Sequence, residues 1–251
     1  MMKTWGVTDV GLVRKENQDA YAVVESGLGF TVCVVCDGMG GPKGGKLASS
    51  LAVETFMDRC LTGLRPDMPS DQVQLLAEQA VEAANSRVYQ RSLEEPRLRG
   101  MGTTLVSAVV WRGQALVTNV GDSRAYVIRT GAQDQKRGIA RITKDHSVVE
   151  KLVDMGNITE EEARRHPDRN LITRALGPEK AILSDSYLVR LYPGDSLLLC
   201  SDGLVDTVTS AEMEAEILRE ENGELCLDRL LLLAKDRGAS DNVTAVLLQR
   251  Q

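Results

Sequence analysis

Helix and strand signals in this chain arrive in blocks rather than in alternation, and that ordering restricts the fold more than any other feature of the sequence. Three short apolar runs with strand character come first, at Thr4 to Thr8, Ala20 to Glu25 and Phe30 to Cys36. Two stretches with apolar residues at helical spacing follow, Gly45 to Leu61 and Asp71 to Arg91. Strand-like runs resume at Thr103 to Trp111, Gln114 to Val120 and Ala125 to Arg129, and again at Ile182 to Leu191 and Ser196 to Cys200. A second helical pair comes next, one helix opening at the capping-box spacing Thr209 to Glu212 and running toward Arg219, the other from Glu224 to Asp236. A last strand-like run covers Asn242 to Gln249. Parallel sheets need a crossover between successive strands, so this segregation predicts an α+β fold of antiparallel sheets with helices outside them. The Arg112-Gly113 pair predicts a tight hairpin, and Pro193-Gly194-Asp195 a turn.

No repeat or low-complexity linker interrupts the 251 residues, so one domain over residues 1–251 is expected. The segment of about 144–181 turns polar and helical, and reads as an appended flap or as a plain surface helix pair. Hydrophobic residues make up 43% of the chain, enough for a core. A formal net charge of −6 with no block of Lys or Arg argues against nucleic acid and anionic membranes as partners. No secretory leader and no long apolar span is present, which predicts a cytoplasmic protein. The five cysteines are odd in number and lie among apolar neighbours, as buried reduced thiols do. Cys33 and Cys36 form a CxxC pair, but a strand aims them at opposite faces, so they are expected as core filler rather than as a metal or redox pair.

Four of the apolar runs carry a carboxylate at one end. Asp37 closes FTVCVVC, Asp122 follows ALVTNVG, Asp202 follows SLLLCS, and Asp241 stands immediately before NVTAVLL. Any one of them alone is best read as a turn residue or a helix cap. Four in the same setting point to a cation, because converging like charges at reduced dielectric raise one another's pKa and destabilise the fold until something neutralises them. Two histidines and buried thiols make a poor zinc site, whereas carboxylates, a backbone carbonyl and water are hard ligands suited to Mg²⁺ or Mn²⁺. Asp37 also opens a glycine-rich stretch, DGMGGPKGG. The spacing from Gly40 to Lys46 is that of a phosphate-cradling loop, yet Leu47 occupies the position where such a loop needs a Ser or Thr hydroxyl. The alternative is that Gly38 lends its carbonyl to a metal and the later glycines let the chain double back into the helix near Gly45.

The motifs RKENQDAY, VVCDGMGG, RGMGTTL, VGDSRAYVIR, KDHS, ITRALG, CSDGLVD and ASDNVTAV, in that order and at that spacing, resemble the metal-dependent serine/threonine protein phosphatases of type 2C. The likeness runs from about Trp5 to Leu248 and is strongest to the short bacterial stand-alone members. It implies a four-layer α-β-β-α sandwich, with a binuclear Mg²⁺ or Mn²⁺ centre at one edge and a third, weaker ion beside it. It implies hydrolysis of phosphoserine and phosphothreonine in proteins by metal-activated water, with no covalent phosphoenzyme and no organic cofactor. Carried over by position, Asp37 bridges both ions, Gly38 offers its carbonyl, Asp202 and Asp241 complete the first ion, and Asp19 acts through water. Asp122 and Asp206 hold the third ion. Arg14 binds the substrate phosphate, which the fork of a guanidinium suits better than a lysine. The implied partners are phosphorylated proteins, namely a eukaryotic-like bacterial Ser/Thr kinase and its substrates, and the implied state is a monomer.

Two positions depart from the pattern. Gln18 stands where many relatives have glutamate and is not assigned as a ligand; Met39 stands where animal relatives have a histidine that serves as general acid. His146 is the tempting substitute, although an anchor for the flap is the expected role, and His166 reads as plain surface. Two rival functions remain open at this point: a catalytically weak phosphoprotein-binding module of the same fold, and a phosphatase directed at a regulator of a sigma factor.

Overall fold

Strand β3 (Thr31–Cys36) is buried at all six positions, because both of its faces are covered. Val32, Val34 and Cys36 pack against helices α1 (Gly45–Gly63) and α2 (Ser70–Glu94), whereas Cys33 and Val35 point into the layer between two sheets. The same division holds for strand β11 (Ser196–Cys200): Leu198 and Cys200 face helices α6 (Ser210–Arg219) and α7 (Gly223–Asp236), and Leu197 and Leu199 face the opposing sheet. Period-two alternation therefore divides two hydrophobic environments rather than core from solvent, which is why the runs are apolar throughout.

The structure, a computed structural model, describes residues 2–41, 44–131, 136–220 and 222–251. One sheet has the order β10 (Asp185–Arg190), β7 (Gln114–Val120), β6 (Leu105–Trp111), β3, β2 (Ala20–Glu25). The other runs β1 (Met2–Asp9), β12 (Val243–Arg250), β11, β8 (Arg124–Arg129), β9 (Gly138–Arg141). Every pairing is antiparallel, and helices cover the outer face of each sheet, giving the expected α-β-β-α layers. A small third pairing joins β4 (Gly38–Met39) to β5 (Gly102–Thr103). The hairpin between β6 and β7 turns on Arg112 and Gly113, both with positive φ (45° and 74°), the two-residue geometry whose twist matches the strands.

Three elements differ from expectation. The run Thr103 to Trp111 breaks at Thr104, whose N–H donates to the Asp37 carbonyl instead of continuing the ladder. The run Ile182 to Leu191 contributes a strand only over Asp185–Arg190, and the short edge strand β9 has no strong signal in its GIAR sequence. In the segment of about 144–181, α3 (Val148–Asp154) and α4 (Glu160–Arg165) are short and capped by Ser147 and Thr159. The bridges Ser147 to Ile172 and Thr103 to Leu176 tie the segment down near its ends.

All five cysteines are buried and unpaired, and burial pushes the Cys33 thiol up to about 12. Among the described residues no helix is long and apolar enough to cross a membrane. Leu199 is fully buried between the sheets. Leu199→Ala is expected to cost about 3 kcal/mol through lost burial and the cavity left behind, measurable by denaturant unfolding.

Candidate metal and phosphate site

Strand register brings the predicted acids to one end of the sandwich. In the first sheet Ala20 pairs with Cys36 and Leu105 with Val120, so Asp19, Asp37, Thr104 and the Gly121-Asp122 turn share an edge. In the second sheet Cys200 pairs with both Arg124 and Ala245, which puts the Ser201-Asp202 turn beside Ser123 and the Asp241-Asn242 entry to β12. The two edges lie at the same end, and Arg14, Asp37, Gly38, Asp122, Asp202 and Asp241 line one cleft there. Asn170 and Ile172 of the segment 144–181 form part of its rim. Asp206 follows the one-turn helix α5 (Asp202–Val205), donates its N–H to the Asp202 carbonyl at 2.8 Å, and lines an adjoining pocket together with Asp122 and Asp202.

Asp37 and Asp19 are held by neighbours that sequence motifs alone did not single out. The Asp37 N–H donates to Thr104 Oγ1 at 2.9 Å, and its carbonyl accepts from Thr103 Oγ1 at 2.8 Å. Thr104 Oγ1 lies 2.7 Å from Ser123 Oγ, which links the Asp37 turn to the Asp122 turn. Asp19 Oδ2 accepts from Ser201 Oγ at 2.8 Å, joining the two sheets. Asp241 Oδ2 receives Arg14 Nη2 at 2.7 Å, an ion pair that pulls the Arg14 pKa up. Gly38 and Gly45 pass so closely that a Cβ on either would strike the other's backbone, which accounts for two of the glycines in the DGMGGPKGG stretch. Pro42 and Lys43 of that stretch lie outside the described residues.

Burial and mutual repulsion dominate the electrostatics. Burial first, then Asp202, Asp19, Asp122 and Asp241, push the Asp37 carboxyl well above the usual carboxylate range. Burial and the charges of Asp122, Asp206, Asp241 and Asp19 do the same to Asp202. Asp19 is raised to about 6 and Asp122 to about 7, both mainly by burial. Two buried oxygens, Asp19 Oδ1 and Asp202 Oδ1, have no hydrogen-bond partner. Unpartnered carboxylate oxygens in a buried acidic cluster are what a hard divalent cation satisfies, and the donor set is entirely oxygen, so these residues fit Mg²⁺ or Mn²⁺. As they stand, the side chains line a cleft rather than a finished cage: among the described residues no three acidic, histidine or cysteine groups enclose an ion position.

The family's sequence profile, described as protein phosphatase 2C, matches residues 13–221. The chain belongs to the protein phosphatase 2C family. It is 34% identical over 245 residues to the serine/threonine phosphatase stp of Listeria monocytogenes, covering 97% of this chain and 94% of that one. It is 39% identical over 241 residues to the serine/threonine protein phosphatase PstP of Mycobacterium tuberculosis, covering 95% of this chain and 43% of that longer protein. A bacterial serine phosphatase crystal structure superposes with a TM-score of 0.90 at 37% identity, covering 100% of this chain and 98% of its own. The PstP catalytic domain in complex with two manganese ions superposes with a TM-score of 0.81 at 33% identity, covering 99% and 97%.

Within this protein phosphatase 2C chain, Gln18 lines the cleft; its Nε2 donates to the Gly41 carbonyl at 3.0 Å, and its N–H donates to Asn242 Oδ1 at 2.8 Å. Met39 lines the cleft and has no group to donate a proton. His146 is buried beside the cleft. Its Nδ1 accepts the Gly121 N–H at 3.1 Å, its Nε2 lies 3.3 Å from Asp185 Oδ2, and its carbonyl accepts the Thr173 N–H at 2.6 Å. Those bonds anchor the segment 144–181 to the Gly121 turn, and burial lowers the histidine's pKa. His166 closes α4, where its Nδ1 accepts the Asp168 N–H at 3.1 Å.

Proposed function

We propose that this phosphatase hydrolyses phosphoserine and phosphothreonine in proteins at a binuclear Mg²⁺ or Mn²⁺ centre, opposing a eukaryotic-like bacterial Ser/Thr kinase. The observation that carries the reading is the convergence of Asp19, Asp37, Asp122, Asp202 and Asp241 at one end of the sandwich, with two orphan oxygens among them and Arg14 on the rim. Asp37, the Gly38 carbonyl, Asp202 and Asp241 would hold the ions directly, and Asp19 through water. Asp122 and Asp206 would hold a third ion. Divalent ions bound there supply Lewis acidity, acidifying solvent and offsetting phosphoryl charge.

The chain's own residues do the rest. The Arg14 guanidinium, 2.7 Å from Asp241 and half-exposed, can turn its fork to two phosphoryl oxygens at the mouth of the cleft. Thr103 and Thr104 hold the Asp37 peptide from both sides, so the carboxylate keeps its place when a dianionic phosphate approaches. Met39, standing where a histidine would, has no proton to give the leaving alkoxide. The reading makes the 251 residues one catalytic unit acting as a cytoplasmic monomer, and the five unpaired buried thiols support a reducing compartment. The segment 144–181, which contributes Asn170 and Ile172 to the rim, is the flap over the site.

A phosphothreonine peptide tests the proposal. Phosphate release is expected with Mn²⁺ and is expected to stop on chelation; turnover that survives exhaustive chelation would contradict it.

A further inference from the structure

Arg14 has little of its own to hold it in place. It lies between β1 and β2, in no helix or strand, with a side chain 56% exposed. A misplacement of about 1 Å in a positioned group can cost on the order of 100-fold in rate. The loop is gripped from outside. Asn242 is only 4% exposed, and its amide makes three hydrogen bonds to this loop alone. Oδ1 accepts the Gln18 N–H at 2.8 Å, and Nδ2 donates to the Val10 carbonyl at 2.9 Å and the Glu16 carbonyl at 3.1 Å. These anchor points bracket Arg14 on both sides. The amide uses its acceptor and both donors, and a flipped orientation would set an oxygen against two carbonyls. The Asn242 N–H also donates to Asp241 Oδ1 at 2.9 Å, and Asp241 Oδ2 is the oxygen that receives Arg14. From one position the chain fixes both the loop that carries the arginine and the carboxylate that meets it.

We propose that Asn242 is the positioning residue that sets the Arg14 guanidinium against the carboxylate cleft. The inference rests on Arg14 binding the substrate phosphate. Truncating Asn242 removes these three anchors and leaves the bonds from the Leu12 N–H to the Ala239 carbonyl, from Asn17 Nδ2 to Thr8 Oγ1 and from Ser49 Oγ to the Gln18 carbonyl, while β12 keeps its ladders to β1 and β11, so the loop loosens around Arg14 and the sandwich stays folded.

The test is a double-mutant cycle on the Mn²⁺-loaded enzyme with a phosphothreonine peptide, joined to amide exchange on the metal-free protein. Asn242→Ala is expected to lower kcat/KM on the order of 100-fold, with the larger share in KM. Adding Arg14→Ala to that background is expected to change the rate by less than about twofold, because the arginine is already out of place. Exchange of the Gln18 amide is expected to speed up at least about tenfold, while the Leu247 amide within β12 stays protected. Losses that multiply across the cycle, or a Gln18 amide that stays slow, would overturn the inference. Asn242→Ser, which keeps one donor, replaces Asn242→Ala if the latter does not fold. A wild-type enzyme that never turns the peptide over sinks the phosphatase reading instead, and the exchange measurement, which needs no turnover, tells the two failures apart.

Discussion

Asp37→Asn is expected to lower turnover of a phosphothreonine peptide by about 1,000-fold, on the order of 4 kcal/mol of transition-state stabilisation, while raising the melting temperature of the chelated protein. The two effects have one cause. Asp37 is buried among Asp202, Asp19, Asp122 and Asp241, and its charge is useful only when divalent cations answer it. An asparagine keeps the shape and the bonds from Thr103 and Thr104, which involve the Asp37 backbone, and removes one like charge from the cluster. Relief of that repulsion is expected to stabilise the metal-free fold by on the order of 1 kcal/mol, or roughly 2–4 °C in a chain of this size. Steady-state kinetics and calorimetry on the same preparation check both halves. The rival reading, a phosphoprotein-binding module, predicts no turnover to lose and an unchanged affinity for the phosphopeptide, so unaltered kinetics in the variant would remove Asp37 from the chemistry.

Chelated protein is expected to lose stability as pH rises, and Mn²⁺ is expected to restore it. Asp19 and Asp122 have folded pKa values of about 6 and about 7, above the ordinary carboxylate value near 3.8. The fold therefore prefers their protonated forms. Their stabilising contribution is present below about pH 4 and is lost as pH rises through 6 for Asp19 and 7 for Asp122. Asp37 and Asp202, raised by the same burial and the same neighbours, act in the same direction. Ion-paired carboxylates such as Asp9 and Asp185, whose pKa values are lowered, titrate below this window, and buried His146, whose lowered pKa adds stability as pH rises toward its ordinary value of 6.5, is one group against four raised carboxyls. The melting temperature in chelator should thus decline from pH 5 to pH 8. At pH 8, Mn²⁺ at about 100 times its dissociation constant should add about 2.7 kcal/mol by mass action. A melting temperature flat across this range and indifferent to Mn²⁺ would mean that the carboxylates do not share a buried cation site.

Much of the site could be read from the chain because its chemistry sits at strand ends, where a polar residue interrupts an apolar run. Asp37, Asp122, Asp202 and Asp241 each stop or start a strand that is buried on both faces, and such an interruption needs a reason. Asp19, Asp206 and Arg14 carry no such signal. Asp19 precedes the half-exposed edge strand β2, Arg14 sits in the preceding loop and Asp206 beside a single helical turn, where an acid or an arginine is ordinary, and only resemblance to a family of phosphatases picked them out. Thr103, Thr104, Ser123, Ser201 and Asn242 escaped the sequence reading altogether. A buried hydroxyl or amide is recognisable only from its partners, and those partners are far away in the chain: Ser201 meets Asp19, and Asn242 meets Val10, Glu16 and Gln18. The break at Thr104 has the same origin, since a β-branched residue in an apolar run looks like continuing strand until its N–H is found bonded to Asp37.

By itself, the order of the amino acids determined the class of the fold and the kind of ligand. Periodicity is local, so antiparallel sheets covered by paired helices follow from the sequence, and hard oxygen donors choose hard cations wherever they meet. What only the tertiary structure decided is that they do meet. Two separate sheets had to pack so that the ends of β3, β7 and β11 and the start of β12 face one cleft, and that depends on register and layering across residues hundreds of positions apart. The interval from Asp37 to Asp241 has no meaning along the chain; in the folded protein both line the same wall, because burying apolar faces between the sheets leaves their charged ends nowhere else to go.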